Sequence, residues 1–298
     1  MDVGTANLLE MLTERVIELT NQGKLEEAMH SADAAVEKAR SSNQGGTDDV
    51  LCLAATLEIR GDLLRQGGYL DDALEVYHEA YALIGGDERY AEMQARISAS
   101  TGVIYDLAEN DEEAIMCYEK AIEQYENIEP VNRLEIADIC NNLGFIYRSL
   151  GDLDTAETLL LKGLEISHHE LGQDNEKTAT LCNNVGALYL KSGYDDQAKE
   201  MLTMALESRI KVLGKSHPDT AQSYANLALS EAQLGETELA KKHFQKAIGI
   251  YEKHVEKESQ EYATVVENYS EFLRANKEEK ACAALVKKAK KKLAKVMS

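Results

Sequence analysis

The sequence predicts an all-α solenoid of about seven antiparallel helix pairs. Three observations favour this fold: residue types recur every 42 positions, each repeat holds two amphipathic helical segments, and prolines are scarce. The 298 residues include only two Pro, and 44% of them are hydrophobic. This hydrophobic content is too high for a disordered chain, and the scarcity of prolines argues against a β-sandwich or barrel, which needs many turns.

The repeat is visible in five rows of residues that share a spacing of 42. One row holds tyrosines, three hold small residues, and one holds turn residues that are mostly glycine. The rows are Tyr105, Tyr147 and Tyr189; Gly102, Gly144, Gly186 and Ala228; Ala114, Ala156, Ala198 and Ala240; Ala121, Gly163, Ala205 and Ala247; and Glu109, Gly151, Gly193 and Gly235. Five rows with one spacing indicate a repeat architecture.

Each repeat is predicted to contain two helices, as the fifth repeat illustrates. Leu181, Val185 and Leu188 fall on one face of a first helix, and Gly193 then breaks the pattern. Asp195 follows at the start of a second helix, where an acidic residue suits the helix dipole. The apolar face of this second helix consists of Ala198, Met201, Leu202, Ala205 and Leu206. Small residues in the rows allow the two helices to pack closely.

Extending the period in both directions predicts seven units. The turns between paired helices are expected near Gly23, Gly68, Glu109, Gly151, Gly193, Gly235 and Asn276. The units span approximately residues 8–43, 49–85, 88–129, 131–172, 174–214, 217–256 and 258–296. No linker rich in Pro, Gly or Ser divides them, so residues 1–298 are expected to form one solenoid. Pro130 and Pro218 are both predicted to begin a first helix, the helical position that tolerates proline.

The fifth unit resembles a tetratricopeptide repeat (TPR). Residues 182–189 read Cys-Asn-Asn-Val-Gly-Ala-Leu-Tyr and are followed by Gly193 and Ala198. The 42-residue period, the double Asn and the Leu-Gly joints at 171–172 and 213–214 are similar to the kinesin-light-chain subtype of TPR. The resemblance implies a right-handed TPR superhelix whose first helices line a concave, peptide-binding groove.

A row of asparagines is the main candidate for binding in that groove. Its members are Asn142, Asn184, Asn226 and Asn268. Asn is a mediocre helix former, so helix propensity does not explain the row. An amide both donates and accepts hydrogen bonds, as an extended peptide backbone does. Two interpretations stay open: the amides bind a partner segment, or each amide bonds to a neighbouring helix. The family resemblance favours the first.

Ten further side chains are expected to give the groove its specificity. They are Asp138, Asn141, Phe145 and Arg148 in the fourth unit, Thr180, Asn183 and Lys191 in the fifth, and Gln222, Leu229 and Gln233 in the sixth. For each one, an ordinary exposed side chain is the alternative. Because a net hydrogen bond contributes about 1 kcal/mol, the expected affinity is around micromolar.

The charge of the chain is strongly negative and unevenly distributed. The net charge is −21, which disfavours nucleic acid as a partner because phosphate binding needs a basic surface. Residues 1–150 contain 11 Lys/Arg and 30 Asp/Glu, whereas residues 277–298 contain eight Lys and two Glu. The basic end is predicted to be the solvated face of a capping helix with an apolar stripe at Leu285, Ala289, Leu293 and Val296. The alternative is weak self-association, in which this helix docks on the acidic half of a second copy.

No motif of an enzyme, a metal site or a cofactor site is found in the sequence. Phosphate-binding, dinucleotide-binding, nucleophile-elbow and zinc-protease patterns are all missing. The five scattered cysteines fit reduced thiols, and no segment is apolar enough for a secretion signal or membrane insertion. The expected function is therefore a cytoplasmic, non-catalytic adaptor that binds an extended or short helical peptide segment of a partner protein. A ligand- or peptide-responsive regulatory sensor subunit is the alternative.

Overall fold

The structure, a computed structural model, describes residues 2–296. Within this range it contains fourteen α-helices and no β-strand. They form seven consecutive pairs: Val3–Asn21 (α1) and Leu25–Ser42 (α2), Thr47–Gln66 (α3) and Leu70–Ile84 (α4), Ala91–Leu107 (α5) and Asp111–Glu126 (α6), Arg133–Leu150 (α7) and Leu153–Leu171 (α8), Glu176–Ser192 (α9) and Asp195–Val212 (α10), Pro218–Gln233 (α11) and Thr237–His254 (α12), and Ser259–Ala275 (α13) and Glu279–Val296 (α14). The predicted series of helix pairs is confirmed.

The helices group into two compact units, Met1–Ile139 and Cys140–Ser298, and the division falls within α7. Each unit has its own buried core. Three fully buried tyrosines, Tyr77, Tyr118 and Tyr125, are among the largest core side chains of the first unit. The core of the second unit includes the fully buried Phe244, Tyr262 and Leu160. The expectation of one continuous solenoid over the whole chain stays a prediction.

The small-residue row has a steric cause within each helix pair. A Cβ atom added to Gly186 on α9 would lie 2.6 Å from the Cγ of Leu202 on α10, and Gly144 stands in the same relation to Leu160. In the first unit, a Cβ at Gly102 would lie 2.8 Å from the ring of Tyr118. Glycine at these positions therefore lets the second helix press a large side chain against the backbone of the first.

At or next to each predicted turn between paired helices, one residue has a left-handed backbone. Gly193 ends α9 with a φ of 77°. Glu109 replaces glycine in the third pair and still adopts a φ of 58°, a conformation that costs a non-glycine residue about 1 kcal/mol. In the last pair, Lys277 takes this conformation with a φ of 61°, one residue after the predicted turn position.

The two prolines behave differently from each other. Pro218 is the first residue of α11, as expected. The prediction for Pro130 is wrong, because α7 begins only at Arg133. The first helical hydrogen bond of α7 runs from the N–H of Ile136 to the carbonyl of Asn132, so Pro130 lies in the loop before the helix.

None of the helices in residues 2–296 combines the length and the hydropathy needed to cross a membrane.

Candidate functional site

The asparagine row lies on the first helices of the last four pairs. Asn142 is on α7, Asn184 on α9, Asn226 on α11 and Asn268 on α13. All four belong to the second unit. Asn184 is buried, and the other three are half-buried. The row thus occupies one equivalent position on successive first helices.

Two members of the row bond to the neighbouring first helix. The Nδ2 of Asn184 donates to the Oδ1 of Asn141 at 2.7 Å, and the Nδ2 of Asn226 donates to the Oδ1 of Asn183 at 3.2 Å. In both cases the donor is 43 residues after the acceptor. The double Asn is therefore an amide ladder: the first Asn accepts from the next helix, and the second Asn donates to the previous helix. These bonds correspond to the structural interpretation of the row.

The amide ladder does not extend to Asn268. The residue 43 positions before it is Ala225, which has no side-chain acceptor. Among residues 2–296, Asn268 makes no side-chain hydrogen bond, and it is half-buried on α13. Its amide thus differs from the donating amides of Asn184 and Asn226.

Arg209 on α10 is a central residue of this region that the sequence analysis missed. Its side chain is 2% exposed and reaches from a second helix to two first helices. One terminal nitrogen donates to the Asp219 carbonyl at 2.8 Å, to Gln222 Oε1 at 3.0 Å and to Ser223 Oγ at 3.0 Å. The other donates to Thr180 Oγ1 at 3.2 Å. The missed signal is a charged residue four positions after Ala205, in the apolar stripe of α10.

All hydrogen-bond partners of Arg209 are uncharged oxygens. No carboxylate of the described chain lies within ion-pair distance, and its Nε has no hydrogen-bond acceptor there. Burial lowers the pKa of the guanidinium, with Asp219 opposing this effect from a distance. The buried cation fixes the side chains of Gln222 and Thr180, two of the predicted groove residues.

Another predicted groove residue is an exposed aromatic side chain. Phe145 on α7 is 45% exposed, and the guanidinium of Arg148 lies over its ring at 4.2 Å. Burial lowers the pKa of Arg148. Lys191 on α9 donates to the main-chain carbonyl of Arg148 at 2.7 Å, which ties α9 to the end of α7. The Phe145 ring thus contacts a cation, while nearly half of the residue remains exposed to solvent.

The remaining predicted groove residues are less closely connected. Leu229 is half-buried on α11, and Gln233 is exposed at the end of the same helix. Asp138 lies on the part of α7 that belongs to the first unit and is half-buried. The first two belong to the same unit as Phe145, whereas Asp138 is described with the other unit.

Comparisons with known families agree with the paired helices. Two tetratricopeptide repeat profiles match the chain, one at residues 135–211 and again at 183–253, the other at residues 96–128. Together these segments cover just over half of the sequence. The chain belongs to the tetratricopeptide repeat family. Outside the matched segments, the described residues also form paired helices.

Solved structures of other TPR proteins are similar to this one. BtubC (BKLC) from P. vanneervenii is 25% identical, and the match covers 76% of this chain and 90% of that chain with a TM-score of 0.67. TPR-like repeats of a Podospora anserina protein assigned as a kinesin light chain are 17% identical, with coverages of 70% and 98% and a TM-score of 0.59. A Rap protein complexed with competence and sporulation factor is 16% identical, with coverages of 99% and 78% and a TM-score of 0.65. No sequence match was found among curated proteins.

The last helix of this TPR protein is amphipathic, as predicted. Leu285 and Leu293 pack against the core of the second unit, together with the buried Ala289. On the polar side, Lys288 forms an ion pair of 2.6 Å with Glu252, and Lys292 donates to the Glu252 carbonyl at 3.1 Å. Part of the basic face is therefore engaged with the preceding helix pair of the same chain.

Clusters suited to metal binding are not found in the described part of this TPR protein. No group of three or more His, Cys, Asp or Glu side chains there is arranged to hold an ion. His168 and His169 are exposed, and His169 contacts Glu170 at 3.1 Å. Three of the five cysteines are buried, and the other two are half-buried.

Proposed function

We propose that this TPR protein is a non-catalytic adaptor that binds an extended or short helical segment of a partner protein. The proposed surface consists of the first helices of the second unit, α7 from residue 140 onward, α9, α11 and α13. The family and the fold support an interaction scaffold, and the structure of a Rap protein with a bound factor shows that a related fold accommodates a partner.

The observation that carries the proposal is the ordering of polar side chains before any ligand binds. The amide ladder joins α7 to α9 and α9 to α11, and Arg209 holds Thr180 and Gln222 in fixed positions. A surface whose side chains are already ordered loses less conformational entropy on binding. The amides that form the ladder therefore support the surface, while the available polar atoms belong to Asn268 and to exposed side chains such as Gln233.

Phe145 is the proposed anchor of the interaction. Aromatic residues and arginines contribute disproportionately to binding energy at protein interfaces. Phe145 offers an exposed ring backed by Arg148, and both lie on α7 at the start of the proposed surface. With a few hydrogen bonds of about 1 kcal/mol each and one aromatic anchor, an affinity around micromolar is expected.

Site-specific photo-crosslinking tests the adaptor proposal. A photoreactive residue is placed at position 145 or at position 229, and crosslinked partner segments are identified by mass spectrometry. A synthetic peptide with the identified sequence should then bind the purified chain with micromolar affinity. Phe145→Ala should weaken this binding at least about tenfold, because it removes the anchor.

Leu239→Ala is the matched control for the Phe145 variant. Leu239 lies on the second helix α12 of the same unit and is 45% exposed, the same fraction as Phe145. Its substitution should leave the peptide affinity unchanged. A photoreactive residue at position 239 is the matching crosslinking control. Equal losses of affinity in both variants, or crosslinks from position 239 as strong as those from position 145, would contradict the proposed surface.

Several expectations from the sequence about function, location and partners remain to be tested. The sensor alternative, a cytoplasmic location, the lack of nucleic acid binding and weak self-association through α14 all stay predictions. For self-association, the engagement of Lys288 with Glu252 leaves fewer lysines for a second copy. Sedimentation at low and high salt tests it, since a contact between the basic helix and an acidic surface weakens as ionic strength rises.

A further inference from the structure

An apolar cleft lies between the second helices α8 and α10. Its volume is about 410 Å³, and it is lined mainly by Leu161, Leu164, Met201 and Met204, with Cys182 of α9 among the lining residues. Leu161 is 39% exposed, so the cleft is open to solvent. Glu165 and His168, both exposed, form its polar edge.

Equivalent positions in two other repeats show how the chain covers this place elsewhere. Between α4 and α6, Lys120 occupies the place of Met204, 84 residues earlier, and its Nζ lies 3.9 Å from the ring centroid of Tyr81. The cleft that remains there has about 220 Å³. The cleft between α4 and α6 therefore contains a tyrosine ring and a lysine, whereas the lining of the cleft between α8 and α10 contains neither.

The repeat that comes directly after the α8/α10 cleft also pairs an aromatic ring with a lysine, although the ring comes from a different position in the repeat. Tyr224 and Lys246 occupy the places of Cys182 and Met204, 42 residues later. The Nζ of Lys246 lies 4.6 Å from the ring centroid of Tyr224, and the ring centroids of His243 and Tyr224 are 5.4 Å apart. In these two repeats, therefore, the chain itself supplies an aromatic ring with an ammonium over it. The residues that line the cleft between α8 and α10 include neither a tyrosine nor a lysine.

The chemistry of the open cleft complements such a pair. Methionine side chains are flexible and make favourable sulfur contacts with aromatic rings. Glu165 forms no ion pair within residues 2–296, so its carboxylate is free to meet a cation at the cleft edge. Burial raises the pKa of the Cys182 thiol to about 11, so this lining residue is uncharged near neutral pH. Residues 153–212, which span α8 to α10, contain ten Asp/Glu and six Lys/Arg, an excess of negative charge that favours a basic partner.

We infer that this cleft is a second docking site, which takes an aromatic side chain and a neighbouring Lys or Arg from a partner protein's helix. The aromatic ring enters between Leu164, Met201 and Met204, which line the cleft. The basic group, one helical turn away from the ring, pairs with Glu165. This site does not depend on the adaptor surface on the first helices.

Methyl NMR on the full chain tests the inference. The eight methionines are labelled at their methyl carbons, and Met201 and Met204 are assigned by substitution to Leu. The probe is an alanine-based helical peptide, capped at both ends, with one Phe and a Lys four residues after it. Saturable shifts of the two assigned methyls are expected at peptide concentrations on the order of 0.1–1 mM, since one anchor gives weak binding. No shift of either methyl over this range would overturn the inference.

Variants of the peptide and of the chain separate the two contacts. Replacing Phe by Ala in the peptide should weaken binding at least about tenfold. Met204→Lys, which restores the residue found at positions 120 and 246, should weaken it similarly because a lysine then occupies the cleft. Glu165→Lys should weaken binding of the Lys peptide and improve binding of a peptide with Glu in its place. Glu200→Lys, at an exposed position on α10 outside the cleft lining, is the matched control and should change neither.

Three outcomes would contradict the docking site. The first is equal affinity for the Phe and Ala peptides. The second is methyl shifts that survive Met204→Lys unchanged. The third is a change of the Met201 and Met204 methyls with protein concentration in the absence of peptide, which would mean that a second copy fills the cleft. Phe145→Ala should leave this peptide's affinity unchanged, so failure of the adaptor surface is distinguishable from failure of this site.

Discussion

The side-chain amide of Asn184 donates a 2.7 Å hydrogen bond to the side-chain oxygen of Asn141, on the preceding first helix. Asn184 is 7% exposed, so water does not readily replace this partner. Repeat proteins are stabilised by interfaces between neighbours as well as by the repeats themselves. The bond is therefore a specific contribution to the α7–α9 interface, in addition to apolar packing.

Removing the acceptor of this bond is expected to destabilise the second unit. Asn141→Ala leaves the buried amide of Asn184 without its partner, which should lower the free energy of unfolding by about 1–2 kcal/mol. Asn268→Ala is the control, because Asn268 makes no such bond, and it should change the free energy by no more than about 0.5 kcal/mol. Urea unfolding followed by circular dichroism measures both. Equal effects would show that the ladder bond contributes nothing specific.

A methyl group at Gly186 is expected to disturb the contact between α9 and α10. The added Cβ would lie 2.6 Å from Leu202, so Gly186→Ala should destabilise by about 1–3 kcal/mol through overpacking. Gly249→Ala on α12 is the opposite case, because nothing lies within 4 Å of its Cβ position. There, the gain in helix propensity should stabilise by about 0.5–1 kcal/mol. Thermal unfolding should show the two variants moving in opposite directions.

Lysine is expected to be a poor replacement for Arg209. The buried guanidinium bonds to four oxygens, one on α9 and three on α11, and an ammonium group cannot reproduce this planar geometry. Arg209→Lys should therefore lower the free energy of unfolding by roughly 2 kcal/mol and release Gln222. Arg274→Lys, at an exposed position on α13, should be neutral. If denaturant unfolding shows no difference between the two variants, the bonds of Arg209 do not stabilise the unit.

The Cys182 thiol is expected to make stability depend on pH in the alkaline range. Burial raises its pKa from 9.0 to about 11 in the folded state. The unfolded chain then loses this proton at a lower pH than the folded chain, so the free energy of unfolding falls as the pH rises from about 9 to about 11. The total loss is roughly 2–3 kcal/mol. Because tyrosines also ionise there, the measurement is the difference between the native chain and Cys182→Ala, which should lack this part of the slope.

Thiol labelling provides an independent check on the same residue. At pH 8, alkylation of Cys182 should be about 100-fold slower in the folded chain than in the denatured chain, because the thiolate is the reactive form. The half-buried Cys117 should be labelled before Cys182 in the folded protein. Mass spectrometry after a short exposure to iodoacetamide distinguishes the two sites. Rapid labelling of Cys182 would contradict its burial.

The sequence was sufficient to predict the helix pairs because their signals are local and repeated. Gly193 and the acidic residues after it indicate the end of α9 and the start of α10 without reference to distant residues, and the same pattern recurs every 42 residues. The amide ladder was less accessible, because its bonds join residues 43 apart, such as Asn141 and Asn184, and depend on the angle between helices. The row alone therefore left open which amides are bonded and which are available.

Arg209 and the cleft between α8 and α10 escaped prediction for a different reason. A period emphasises what the repeats share, whereas these features arise where one repeat departs from the others. Met204 stands where the equivalent repeats have Lys120 and Lys246, and its effect appears only when the neighbouring helices are in place. The signal for the cleft in the sequence is a residue that differs from those at the equivalent positions of other repeats.

The pairing of a first Asn as acceptor with a second Asn as donor has a consequence for how such a chain grows. Each copy of the fifth unit carries both Asn183 and Asn184, one for each side. A tandem duplication of that unit therefore inserts a matched acceptor and donor at once and leaves no additional buried amide without a partner. Lengthening the array in this way adds a repeat that is compatible with both of its neighbours from the start.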